Sequence, residues 1–334
     1  MRVDRREFLA VSAGALAVGG STKAKPAIEV FDRRAGKCVE LSAQPEVLAS
    51  GFGWSEGPTW DWDLGRLYFT DVPGNKAFSW SESERLGTFL DPSGTDQAEG
   101  FREPGANGLL YTGQGSLLLC NHGRRRLERL SIASGERRSI VSDYRGRKFN
   151  SPNDVSVRND GLMVFTDPPY GLAGGDASPL KELDVNGVYA VLPGGEAQLL
   201  VDDLVRPNGA AFSPDGEKLY VTQSDAERPI LRELIIDEKA RVRGQRELFN
   251  FSPLMDEEHP GLPDGMAVAE TGEIFVAGPG GVVALSPDGE LLFRIRTGKA
   301  TANCCFGEGG RTLFMTAHDQ LMRIPTKCQG LAWS

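Results

Sequence analysis

A glycine turn followed by an alternating apolar strand recurs six times along this 334-residue chain, and no other feature limits the fold so strongly. The plainest copy runs from Arg206 to Thr222, where Asp215-Gly216 separates two apolar runs. Asp-Gly in that setting is the strongest short-range hairpin signal. With the turn glycine as a phase marker, the pattern returns at Gly65, Gly115, Gly161, Gly216, Gly272 and Gly310, in steps of 50, 46, 55, 56 and 38 residues. Units of that length match a four-stranded propeller blade. Further strands are expected at Leu127–Ser131, Arg138–Val141, Gly187–Leu192, Ala197–Val201, Ile230–Ile236, Arg246–Phe249, Gly281–Leu285 and Glu290–Arg296. The expected fold is therefore all-β, a single six-bladed β-propeller over residues 25–334. A β-sandwich is the competing all-β reading. Two early segments, Ile28–Phe31 and Glu46–Leu48, are expected to close the last blade beside Leu321–Ile324.

Residues 1–24 stand apart. Arg5-Arg6 precede Phe8-Leu9 and an uncharged run, Ala10–Gly20, too short to span a bilayer. This layout resembles a twin-arginine export signal with cleavage after Ala24, which predicts a periplasmic or secreted protein free of the membrane once cut. Four basic and two acidic residues would leave with it, taking the formal charge from -9 to -11. Such an acidic chain lacks the basic footprint of a nucleic-acid binder. The five cysteines, Cys38, Cys120, Cys304, Cys305 and Cys328, show no C-x-x-C spacing. One bridge outside the cytoplasm stays open, and the adjacent Cys304-Cys305 reads as ordinary core.

Counting back from each marker reveals candidate chemistry. Asn107, Asn153, Asn208 and Asp264 lie eight residues before their glycines, Glu56 nine before Gly65 and Asn303 seven before Gly310. Asn-Gly and Asp-Gly pairs are also ordinary turn signals, and each position alone could be one. In a propeller, however, the strand before the first hairpin turn of a blade is innermost, so residues at its start converge on one end of the channel. Six oxygen-bearing side chains, two of them carboxylates, suit one divalent cation. An all-oxygen set favours Ca²⁺, with Zn²⁺, Mg²⁺ or Mn²⁺ as alternatives. Asp71, His122, Asp167, Ser224 and His318 fall at the end of the neighbouring strands, where they would rim the mouth or support the ring.

Several separated motifs then carry a resemblance. Ser55-Glu56-Gly57-Pro58-Thr59-Trp60, Leu67-Tyr68-Phe69-Thr70-Asp71, Asn150-Ser151-Pro152-Asn153-Asp154-Val155, Phe165–Gly171, Arg206–Gly209 and Pro263-Asp264-Gly265-Met266 resemble the SMP-30/gluconolactonase family, in order, across about residues 45–325. The resemblance implies a propeller with one catalytic divalent cation. By motif, Glu56, Asn208 and Asp264 fall on metal ligands and Asn153 on a residue touching metal or substrate; Asp264 also falls on the general base. Family members often carry Arg where this chain has Ser151. Ser151, Asp154, Asp167, Asn107, His122 and Asn303 are carried as substrate-contacting or supporting residues.

The activity so implied is metal-dependent opening of a sugar lactone to its aldonic acid, with a small-molecule lactone as partner. A phosphotriesterase-type hydrolase at the same site and a calcium-braced binding propeller without catalysis are the alternatives.

Overall fold

The computed structural model describes residues 26–331. The expected export signal lies outside the described residues. Six antiparallel sheets follow one another in chain order, with a short two-stranded ribbon, Asp143–Tyr144 with Arg147–Lys148, projecting from the second connection. All six marker glycines have positive φ, from +64° at Gly65 to +92° at Gly272. Glycine enters that region without steric cost, which explains its recurrence at the same place in every blade.

The inner strands are Ser55–Asp61, Ala106–Tyr111, Val155–Val157, Pro207–Phe212, Met266–Val268 and Asn303–Gly307. Each packs against the inner strand of the next blade, and Asn303–Gly307 returns to Ser55–Asp61, closing the ring. The propeller expectation holds. Blade 1 also contains two strands that the sequence pattern left undefined, Lys76–Ser81 and Arg85–Leu90.

The ring closes with strands from both ends of the chain. Glu46–Ser50 pairs with Gln320–Pro325 in blade 6, as expected. Ile28–Val30 does not: it pairs with Leu291–Arg296 and adds a fifth strand to blade 5. One chain segment thus straddles the last two blades. Apolar packing fills the seams, as where Trp60 of blade 1 stacks on Phe314 of blade 6 with centroids 5.2 Å apart. Burying a side chain of that size contributes roughly 1.5–3 kcal/mol.

Candidate active site

At the end of the ring where the inner strands begin lies a cavity of about 900 Å³. Glu56, Asn107, Asn153, Asn208 and Asp264 all line it. Local register explains how. In blades 1, 2 and 4 the inner strand slips its pairing between Glu56 and Thr59, Ala106 and Leu109, and Pro207 and Ala210. A bulge re-aims a side chain that regular pleating would leave elsewhere. In blades 3 and 5, Asn153 and Asp264 precede the strand. These Asn-Gly and Asp-Gly pairs are therefore features of inner strands and their approaches, not free surface turns. The following glycine is required by crowding: a Cβ on Gly57 would lie 2.2 Å from the Asn107 carbonyl oxygen, and one on Gly209 2.4 Å from that of Asp264.

The amides form a directed chain. Asn107 Nδ2 donates to Asn153 Oδ1 (2.7 Å), Asn153 Nδ2 to Asn208 Oδ1 (2.5 Å) and Asn208 Nδ2 to Ser224 Oγ (2.7 Å), whose hydroxyl donates to the Pro263 carbonyl. Two buried oxygens at the floor, Asn107 Oδ1 and Asp264 Oδ1, have no hydrogen-bond partner among the described residues. Glu56 Oε2 accepts from the Gly57 amide at 3.0 Å. Burial pushes the Glu56 carboxyl up to about 8. Burial, then the charges of Glu56 and Asp154, raise Asp264 well above the carboxylate range. Among the described residues, neither acid forms a salt bridge.

These observations fit a cation. Burying two carboxylates together without a positive partner is costly, and a divalent ion between them would remove the repulsion and give Asp264 Oδ1 a partner. No three His, Cys, Asp or Glu side chains gather as a ligand group among the described residues. The donors such an ion would meet are instead Glu56 and Asp264 with amide oxygens, a hard all-oxygen mixture.

The sixth residue of the proposed ring departs from it. Asn303 does not line the cavity; its Oδ1 accepts from the Cys304 amide at 2.8 Å and its side chain presses on Gly265. Several other candidates stand behind the floor. Ser151 Oγ donates to the Pro168 carbonyl and accepts from the Gly171 amide, tying down the loop that carries Tyr170. Asp167 accepts from the amides of Asn150 and Ser151, and Asp71 from those of Gly53 and Trp54, so both are buried loop anchors and not rim residues. Asp154 accepts from Val155 and Ala210, bridging blades 3 and 4, with burial raising its carboxyl to about 7. His122 is wholly buried beneath Gly171, and burial drives its imidazole down to about 3. Ser224 lines the cavity, whereas His318 is half-exposed beside Trp54.

Among the groups that the sequence reading passed over, three bear most directly on the site. Tyr170, inside a quoted motif, lines the cavity with a hydroxyl that has no partner among the described residues. Part of the cavity wall comes from Met255–Leu262, where His259 is held between Asp256 (Nδ1, 2.7 Å) and Arg294 (Nε2, 2.9 Å). Third, threonines of the second strands support the ring residues from behind. Thr70 Oγ1 donates to the Asn107 carbonyl, Thr166 to that of Asn208 and Thr222 to that of Asp264. They lie five or six residues after their markers, so the same count would have found them.

Residues 54–319 match the family described as SMP-30/Gluconolactonase/LRE-like region. The chain belongs to that family. It is 39% identical to a gluconolactonase of Zymomonas mobilis over 94% of this chain and 89% of that protein. A pentonolactonase of Haloferax volcanii is 32% identical over 78% and 80% of the respective chains. Among solved structures, a gluconolactonase from Xanthomonas campestris superposes with a TM-score of 0.77 at 29% identity, covering 91% of this chain and 96% of that one. The family match, residues 54–319, includes every residue of the cavity floor from Glu56 to Asp264.

Proposed function

We propose that this protein is a lactonase that opens a sugar lactone to its aldonic acid, using one divalent cation, Ca²⁺ foremost, held by Glu56, Asn153, Asn208 and Asp264. The observation that carries the metal-site reading is the pair of raised, unpaired carboxyls at the floor of an oxygen-lined cavity. The lactone specificity rests on the relatives, whose names are those of sugar lactonases. A cation bound there supplies Lewis acidity toward a carbonyl oxygen and makes its water more acidic. The Asp264 carboxylate is the group that accepts the proton of the attacking water. The Tyr170 hydroxyl, protonated at neutral pH and held so further by burial, donates to a substrate oxygen in the cavity. The amide chain from Asn107 to Ser224 holds the floor in one arrangement before substrate enters, which limits reorganisation during reaction. Residues 1–24 are proposed as a twin-arginine-type leader that delivers the enzyme to the periplasm or medium.

Proton release on a panel of aldonolactones, before chelation, after it and after refilling with Ca²⁺, Zn²⁺, Mg²⁺ or Mn²⁺, tests the reading. Turnover that disappears on chelation and returns with a cation is expected. Turnover unaffected by chelation overturns the metal assignment. Hydrolysis of organophosphate esters in preference to lactones would favour phosphoryl chemistry, and metal-dependent stability without turnover a binding propeller.

A further inference from the structure

The five cysteines are all reduced and buried, but they are not equivalent. Cys120, Cys304 and Cys305 sit inside strands, and burial pushes each thiol up. Cys304 donates to the Phe275 carbonyl toward blade 5, whereas Cys305 packs beside Trp60 and Phe314, so these neighbours point away from each other. Cys38 and Cys328 come from opposite ends of the chain and meet in one apolar cluster. The Lys327 and Cys328 amides both donate to the Cys38 carbonyl, at 2.7 and 3.3 Å, and Val39 forms a bridge with Thr326. Each thiol is the foremost influence on the other's ionisation, Cys38 being favoured as the anion and Cys328 as the proton donor.

We infer that Cys38 and Cys328 form a disulfide that clasps the ring where its two ends meet. The direct backbone contact supplies the close Cα approach that such a bond needs. Its position is informative: the bridge would lie just beyond Glu46–Ser50 and Gln320–Pro325, the strand pair that closes blade 6 without a covalent link. Nearly the whole propeller lies between the two cysteines, and a cross-link closing so long a loop restricts the unfolded chain strongly. The oxidant is a disulfide, either of a thiol–disulfide oxidoreductase or of oxidised glutathione. The Cys38 thiolate attacks one of its sulfurs and expels a thiol; the Cys328 thiolate then attacks the mixed disulfide and expels the second. Two protons and two electrons leave the protein, and the oxidant becomes two thiols.

The test uses full-length protein incubated with excess oxidised glutathione, then unfolded for thiol counting and peptide mapping. The expected result is three titratable thiols of the five, a mass lower by two hydrogens and a cross-linked peptide pair containing Cys38 and Cys328. Dithiothreitol should restore five thiols and lower the melting temperature of the oxidised form. Five thiols after oxidation, or a bridge between other cysteines, overturns the inference. Cys38→Ser and Cys328→Ser should each retain four thiols and lose the redox-dependent melting shift. If either variant fails to fold, the wild-type mapping still decides. Lactone turnover is expected to be alike in the oxidised and reduced forms, so loss of the bridge and failure of the proposed activity are separately visible.

Discussion

Replacing Thr222 by valine removes one hydroxyl and almost no volume, yet should disturb two of the proposed ligands. Thr222 is fully buried; its Oγ1 accepts from the Gly209 amide at 2.7 Å and donates to the Asp264 carbonyl at 2.8 Å. One side chain thus fixes the backbone immediately after Asn208 and that of Asp264 itself. Valine leaves a buried donor and a buried acceptor unsatisfied, at about 1–3 kcal/mol each, so a loss of about 2–6 kcal/mol is expected. That is a large part of the usual stability of a folded domain. Urea denaturation with and without cation, beside lactone kinetics, measures it. A lower midpoint, a weaker cation-induced stabilisation and at least tenfold lower kcat/KM are expected. Thr316→Val is the comparison, because Thr316 donates to the carbonyl of Asn303, whose side chain is off the cavity. It should cost stability with little effect on kcat/KM. If Thr222→Val keeps its midpoint and its kcat/KM within twofold of wild type, the threonine supports are incidental to the site.

Glu56→Gln and Asp264→Asn should each lower kcat at least 100-fold with the fold intact by circular dichroism. Because burial raises the Glu56 carboxyl from 4.5 to about 8, the metal-free fold loses stability as pH rises between those values, and the loss is complete above about 8. In chelator at pH 9, Glu56→Gln should therefore melt no lower than wild type, while added Ca²⁺ should stabilise only the wild type. Tyr170→Phe removes a hydroxyl with no described protein partner, so steady-state kinetics should worsen about tenfold while the melting temperature stays unchanged. His122 has a folded-state value near 3, below its ordinary 6.5, so the folded state binds fewer protons in between and loses stability as pH falls through that window. The slope reaches about 1.4 kcal/mol per pH unit. His122→Gln should flatten the fall in urea midpoint between pH 6.5 and 4.

The repeat was legible because the hairpin is local: a glycine at positive φ and an alternating strand sit within a few residues of each other. Strand ends from Ala197 to Val201 or Ile230 to Ile236 follow from that pattern without slippage. Ile28–Val30 was not legible in this way. An edge strand is chosen by which blade offers an open edge, and here Leu291–Arg296 offers it to residues far away in sequence. The same holds for Met255–Leu262, whose place over the cavity depends on His259 reaching Asp256 and Arg294. Nothing periodic marks such a loop.

Asn303 shows what distinguishes phase from orientation. It shares its position and chemistry with Asn107 and Asn208, but it pairs in unbroken register with Thr316, whereas the other two lie where the register slips. The residue that follows supplies the difference. Gly108 and Gly209 allow the inner strand to bulge and press against the next blade, while Cys304 places its thiol back onto the Phe275 carbonyl. A side chain after Asn303 thus keeps the strand regular and turns the amide beneath Gly265, away from the cavity. The informative unit for a cavity-facing residue in the bulged blades is therefore the oxygen-bearing side chain together with its glycine. Asn153 meets the same end by another route: Asp154 replaces the glycine, but the strand begins only at Val155, and the Asp154 carboxylate caps the Ala210 amide of blade 4. The floor is built from whichever local device, bulge or delayed strand, frees the side chain from the pleat.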